Sequence, residues 1–416
     1  VSKLKLHTRI FCVLWAALGC PVAPLATGAM AGAGEAIGPA TGFFRLAIDR
    51  GRQFLVTPQG HAFVALGLNH CSDETTGTPA GQQAVLENLR QWGFNAGDYG
   101  APAWMRSALP HPHGITLLPN SAWMPAGQFG FRDVFDPRFL AEMERTIRAA
   151  CEPQRDNPLL IGYFFTDVPR WSVTAPTIAD ESLIIVPEVG PQNWLSFFKT
   201  LPEGVPGRLV WEQWRSEHPR EPEESFLPVI ARQLYREAHR LVRKYDPHHL
   251  IFGERYHEYD MPEAVVREAL PYIDALAIQT GTPEFDPDFF THLARQYDKP
   301  IYLCDHVSSF PTGEFARTMG QHSASPGEHS AYYRRYVTTA LSHPAIIGYN
   351  RCQYRSRIRL PGEPPLLKQG LLQLDGRPYA EVVESVTAAN RAALAAAYAD
   401  RSPPGTGTER KQEIAR

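Results

Sequence analysis

Leu159-Leu160-Ile161-Gly162-Tyr163-Phe164-Phe165-Thr166, closed by Asp167, is an apolar run of strand length ending on a polar residue. It is too short to cross a bilayer, which takes roughly 18 apolar residues, and it reads as a strand buried on both faces. Seven further runs of the same kind occupy residues 62–68, 94–99, 115–119, 250–256, 273–279, 300–305 and 346–354. Between them lie helical patterns over 83–92, 137–150, 226–244, 262–270, 287–297 and 328–341. Strands alternating with helices predict a parallel sheet, and eight such units predict a closed (β/α)8 TIM barrel rather than an open doubly wound sheet. No Gly-rich phosphate fingerprint follows the first strand, which weighs against dinucleotide binding.

The remaining segments fit around that barrel. Asp49-Arg50-Gly51 and Thr57-Pro58-Gln59-Gly60 are turn chemistry, so residues 43–70 open with a β-hairpin before the first barrel strand. Residues 361–379 add a turn and a short strand, and residues 381–398 an Ala-rich closing helix. Residues 168–226 form a long insertion after the fourth strand. It holds Trp171, Trp194, Trp211 and Trp214, and so much indole predicts a folded segment on the face where barrel enzymes place their sites. The polar stretch 401–416 reads as a disordered tail.

The N-terminal stretch has the pattern of an export signal. Lys3, Lys5 and Arg9 precede an apolar stretch over 10–19, and Ala29-Met30-Ala31 offers a small-residue cleavage site. Residues 1–31 are expected to be a signal peptide and 32–400 the barrel domain of an exported, periplasmic or secreted protein. Ala17-Leu18-Gly19-Cys20 is a looser lipoprotein alternative. The cysteines beyond that point are Cys71, Cys151, Cys304 and Cys352. They form no Cys-x-x-Cys pair, so no zinc motif is expected, and an exported protein can oxidise some of them.

Composition narrows the function. Among 416 residues there are 41 basic and 44 acidic side chains, a net charge of −3, without the basic stripe of a nucleic-acid binder. Proline stands at 37 residues, well above the ~5% average, which reads as long ordered loops.

Polar residues collect where the strands end: Asn69 and His70, Asp98, Asp167, Glu254-Arg255 with His257 and Glu258, Gln279, Asp305-His306, and Asn350 with Gln353. In a barrel these ends surround one pocket. Asp167 and Asp305, on the fourth and seventh strands, can flank a ligand there. Glycoside hydrolysis needs two carboxyl groups, ~5–5.5 Å apart for retention and ~6.5–9.5 Å for inversion. The alternative is a pair of buried carboxylates bonded to Arg255 and the backbone. Glu254 or Glu258 can supply an acid, or pair with Arg255. His70 and His306 can bind sugar hydroxyls or shuttle protons, or be structural. Trp104, Trp123 and Trp171 suit stacking on sugar faces, or packing under loops. His70, His257 and His306 lack a metal motif.

In this order several segments resemble the β-agarase-like families within the clan of retaining barrel glycoside hydrolases. They are Gly42-Phe43-Phe44-Arg45, Phe63-Val64-Ala65-Leu66-Gly67-Leu68-Asn69, Trp92-Gly93-Phe94-Asn95, residues 158–164, residues 245–253 with Arg255, Gly348-Tyr349, Gln353-Tyr354, Gln369-Gly370-Leu371-Leu372, and Asp375-Gly376-Arg377-Pro378-Tyr379. The likeness covers most of residues 43–385. It implies a glycosidase without a cofactor, acting on an oligo- or polysaccharide, while charge and the length of the apolar runs lead one to expect no nucleic-acid partner and no membrane span. It also exposes a departure. Where the family carries its glutamate acid/base, this chain has Val168, and where it carries its glutamate nucleophile, this chain has Asp305. The expected reading is a rebuilt centre. Asp305 is nucleophile or base, Asp167 the proton donor, and Glu254 a further catalytic candidate. Asn69, His70, Asp98, Trp171, Arg255, His257, Gln279, His306, Asn350 and Gln353 bind substrate. Two alternatives stand beside it: a catalytically silent saccharide-binding barrel, and a lyase on an acidic polysaccharide using His70 or His306 with a tyrosine.

Overall fold

The computed structural model describes residues 30–399 except 73, 119–129, 174–190, 192, 259, 316–317, 319–322 and 357–367. The signal-peptide segment up to residue 29, which includes Cys20, together with Trp123 and the C-terminal tail, lies outside the described residues.

The hairpin is present. Strands β1 (Arg45–Asp49) and β2 (Arg52–Val56) pair antiparallel, and β3 (Ala62–Phe63) adds a third strand. Arg50 and Gly51 both take positive φ, +49° and +81°, the two-residue turn whose twist matches that of antiparallel strands.

Seven parallel strands then form a nearly closed barrel: β4 (Ala65–Leu68), β5 (His111–Gly114), β6 (Leu160–Asp167), β7 (Leu250–His257), β8 (Leu276–Thr280), β9 (Ile301–Val307) and β10 (Ile346–Cys352). Their spatial order is β4-β10-β9-β8-β7-β6-β5. The third expected strand starts four residues earlier than the apolar run at 115–119. His111 opens it with its buried ring held between Leu109 O and the Gln154 side-chain amide, each 3.0 Å away.

The run at 94–99 spans the gap between β4 and β5 with one bridge, Gly67 to Ala96. Asn95 explains why it is so short. Its Oδ1 accepts from Leu66 N at 2.7 Å and its Nδ2 donates to Val64 O at 3.0 Å, so a side-chain amide takes bonds that a second strand would have made. Asn95→Ala is expected to cost about 2–3 kcal/mol, because it strands a buried N–H and a buried C=O; urea unfolding measures it.

The helices among the described residues are α1 (Pro79–Gln91), α2 (Ala103–Arg106), α3 (Pro137–Cys151), α4 (Trp194–Thr200), α5 (Pro206–Glu217), α6 (Leu227–Tyr245), α7 (Glu263–Ala269), α8 (Pro287–Tyr297), α9 (Pro326–Ser342) and α10 (Ala380–Ala399). Five of them begin on proline, where the missing N–H costs nothing. Thr78, Asp136, Asp286 and Ser325 cap four of those five through their side chains. Part of the proline excess therefore marks helix starts rather than loops.

Two cores result. Ala65, Ile161, Phe164, Phe252, Ala277, Tyr302, Cys304 and Ile347 fill the barrel, while Leu66, Tyr163, Ile251, Ile278, Leu303 and Tyr349 face the helices. The four insertion tryptophans are buried. Trp171 stacks on Trp194 at 5.2 Å, and Trp211 and Trp214 close around Phe226. No helix of the described residues is long and apolar enough to cross a membrane.

Candidate active site

The alternation of the two cores decides which strand ends reach the pocket. On β7 Phe252 points into the barrel and Ile251 out of it. Strict alternation would then turn Glu254 inward. Gly253 interrupts it with φ +72°, and the β6–β7 register shifts at that place. A Cβ on Gly253 would stand 2.8 Å from Ile273, so the kink needs glycine twice over. After the kink Arg255 is the residue that reaches Asp167.

Glu254 consequently faces the helical layer, a correction to its place among the catalytic candidates. It is fully buried, and its Oε2 accepts from Trp171 Nε1 at 2.6 Å and from the Tyr235 hydroxyl at 2.5 Å. Burial pushes its carboxyl up from 4.5 to about 7, against the pull of those two donors. Trp171 is corrected with it. The indole is wholly enclosed, and its backbone N–H is held by Asp260 at 3.2 Å, so it offers no face to a sugar.

His306 is likewise turned away. It stacks on Tyr336 at 3.8 Å, with Nδ1 2.7 Å from the Tyr349 hydroxyl and Nε2 2.9 Å from that of Tyr332. That places it between β9 and α9 rather than above the barrel. Asp98 is spent on the backbone, accepting from Cys71 N at 3.2 Å and Gly100 N at 2.7 Å. Gln353 donates to Arg355 O at 2.6 Å. His257 is buried at the end of β7, and desolvation lowers it to about 4.

Other expected residues do meet. Asp167, its side chain 38% exposed, lies 3.4 Å from Arg255 Nη2 and accepts from Gln279 Nε2. The Arg255 guanidinium lies 3.8 Å above the Tyr99 ring, a cation–π contact in a desolvated place. The Tyr99 hydroxyl is 3.1 Å from His70 Nε2. Asp305, only 9% exposed, shares this neighbourhood. Burial pushes its carboxyl up to about 6, His70 and Arg255 opposing the shift and the charge of Asp167 adding to it.

Asn69 and Asn350 are fully buried, which places them in the floor rather than on the substrate. Asn350 donates to Asn69 at 2.7 Å and accepts from Tyr302 at 2.9 Å, and Asn69 donates to Cys304 O at 3.1 Å. Gly67 makes room for this, since a Cβ there would lie 2.6 Å from the Asn350 amide.

Two residues of the pocket escaped the sequence reading, Tyr99 and Cys352. Tyr99 ends an apolar run and reads as strand. Cys352 invited comparison only with other cysteines, yet it is buried, and a ligand atom of it lies within 4.8 Å of ligand atoms of His70 and Asp305.

Val168 follows Asp167 with φ +40° and is fully buried. A β-branched residue in this region is strained, and the bond from its N–H to Arg255 O at 3.0 Å holds it there.

No protein-family model matches the chain, and no curated protein does. Solved structures do match. An exo-β-agarase superposes with a TM-score of 0.71 at 16% identity, over 88% of this chain and 66% of that one. PfGH50B gives 0.70 at 16% over 88% and 68%, and BpGH50 gives 0.64 at 14% over 88% and 85%. A GH2 β-galacturonidase from Eisenbergiella tayi gives 0.53 at 12% identity, over 84% and 54%. The chain spans about two-thirds of the length of the first two. At these identities what is shared is the fold, a TIM-like barrel also used by glycoside hydrolases.

Proposed function

We propose that this chain is a glycoside hydrolase that cleaves a glycosidic bond in an oligo- or polysaccharide, with Asp167 and Asp305 as its two working carboxyl groups. The observation that carries this reading is their convergence. They come from β6 and β9, distant in the chain, and share Arg255 and Tyr99 as neighbours at one end of the barrel. The pocket's fold supports it, with the short run at 94–99 taken as the eighth position of a (β/α)8 barrel and residues 168–226 as an insertion.

Val168, enclosed and without an ionisable group, cannot do the work of the glutamate that the agarase-like pattern puts there. The work falls to the aspartates. Asp167 is ion-paired with Arg255 and stands partly open to solvent. Asp305 makes no ion pair among the described residues and is enclosed. We therefore assign Asp167 to the negative charge and Asp305 to proton donation, the reverse of the division expected from sequence. Gln279 positions Asp167, and Asn69 holds the backbone beside Asp305 through Cys304 O.

A second reading is β-elimination on an acidic polysaccharide, favoured by the contact of Tyr99 with His70 beside Arg255. The two are separated by incubating the full chain with a panel of neutral and acidic glycans. New reducing ends without near-ultraviolet absorbance, lost in Asp167→Asn and Asp305→Asn, are the expected result. Unsaturated products would install the lyase, and saccharide binding without turnover would overturn both.

A further inference from the structure

We propose that His70, Asp305 and Cys352 form a binding site for a thiophilic divalent cation, Zn2+ in preference to others. One imidazole nitrogen, one carboxylate oxygen and the thiol sulfur lie within 4.8 Å of one another. They stand at or just beyond the ends of β4, β9 and β10, which are neighbours in the barrel. A separate observation points to a ligand. Asp305 Oδ1 is enclosed and has no hydrogen-bond partner among the described residues, and an acceptor shut away from water without a donor is costly. A cation satisfies it.

The donor set selects the metal. Nitrogen, oxygen and sulfur together suit Zn2+, whereas Mg2+ and Ca2+ take oxygen ligands throughout. In a tetrahedral site with bonds of ~2.0–2.3 Å the ligand atoms stand roughly 3.3–3.8 Å apart, so the trio need close by only about an ångström. Asp305 and Cys352 are enclosed, and His70 is the exposed member that moves. The Tyr99 hydroxyl on its ring sets the imidazole orientation, as outer partners of metal-bound histidines do. Three protein ligands leave a fourth position for water or a substrate oxygen. Binding expels the Cys352 thiol proton, and any proton on Asp305, to solvent.

The site does not depend on the glycosidase reading, but it bears on it. A cation on Asp305 occupies the oxygen that hydrolysis would use, so Zn2+ is expected to inhibit.

The test uses the full chain, stripped by a chelator and titrated with Zn2+ and with Co2+ by calorimetry and absorption. One equivalent is expected to bind, Co2+ giving a thiolate charge-transfer band, with Mg2+ and Ca2+ silent. Cys352→Ser should abolish the band, and both it and His70→Ala should weaken Zn2+ by at least about tenfold. His70 is exposed, so His70→Ala keeps the test open should the buried cysteine variant fail to fold. Wild-type protein that binds neither ion, or a His70→Ala variant with undiminished affinity and an unchanged Co2+ band, overturns the proposal.

Discussion

Replacing Asp305 by Asn is expected to lower kcat/KM for glycan hydrolysis by about 10²–10⁴-fold, the range that a positioned proton-transfer group contributes, with little change in Tm. The amide keeps the shape of the carboxyl but has no proton to give a leaving oxygen. Asp167→Asn should produce a loss of the same order for a different reason: it removes the negative charge held against Arg255. The double variant should be little worse than the poorer single one, because groups that act as a unit lose their effect together. Kinetics on the most active glycan of the panel measure all three. A wild-type rate in Asp305→Asn would remove Asp305 from the mechanism while leaving the barrel assignment intact.

Glu254 gives the largest effect on stability. Glu254→Ala strands the Trp171 indole N–H, leaves the Tyr235 hydroxyl with Tyr256 alone, and opens a cavity in the helical layer, so a loss of about 3–5 kcal/mol is expected. Glu254→Gln keeps an acceptor for both donors, and its signature is in pH. The folded carboxyl titrates near 7 and its ordinary value is 4.5. Between those values the folded chain holds a proton that the unfolded chain has released. The contribution of Glu254 is therefore fully present below pH 4.5 and is lost as pH rises through 7, by about 3 kcal/mol at most. Glu254→Gln should flatten that decline in urea melts across this range and leave glycan turnover in place. Loss of turnover with unchanged stability would return Glu254 to the catalytic group.

The repeating apolar runs were legible because burial on both faces of a parallel strand writes itself as a continuous hydrophobic stretch. So was the clustering of polar residues at the strand ends. Direction was not legible. Glu254 and Arg255 are adjacent, and which of them enters the pocket depends on the left-handed turn at Gly253, which one glycine letter does not announce. His306 next to Asp305 poses the same difficulty. Its tyrosine partners at 332 and 349 lie on other elements, so nothing local marks it as structural. Trp171 followed a strand end, where a sugar platform belongs, and only the distant Glu254 and Trp194 reveal that it is packed. Asn95 looked like one more strand residue, although its amide replaces the strand.

Val168 has a wider consequence. A conformation this unfavourable for valine, worth about 1–3 kcal/mol, persists only because its surroundings leave the chain no other route. Those surroundings are the Arg255 carbonyl on one side and, three residues on, a tryptophan whose indole is held by Glu254 and whose backbone N–H is held by Asp260. The aromatic mass beyond β6 thus acts as ballast. It sets the exit direction of the chain, and with it the place where the neighbouring Asp167 carboxylate comes to rest.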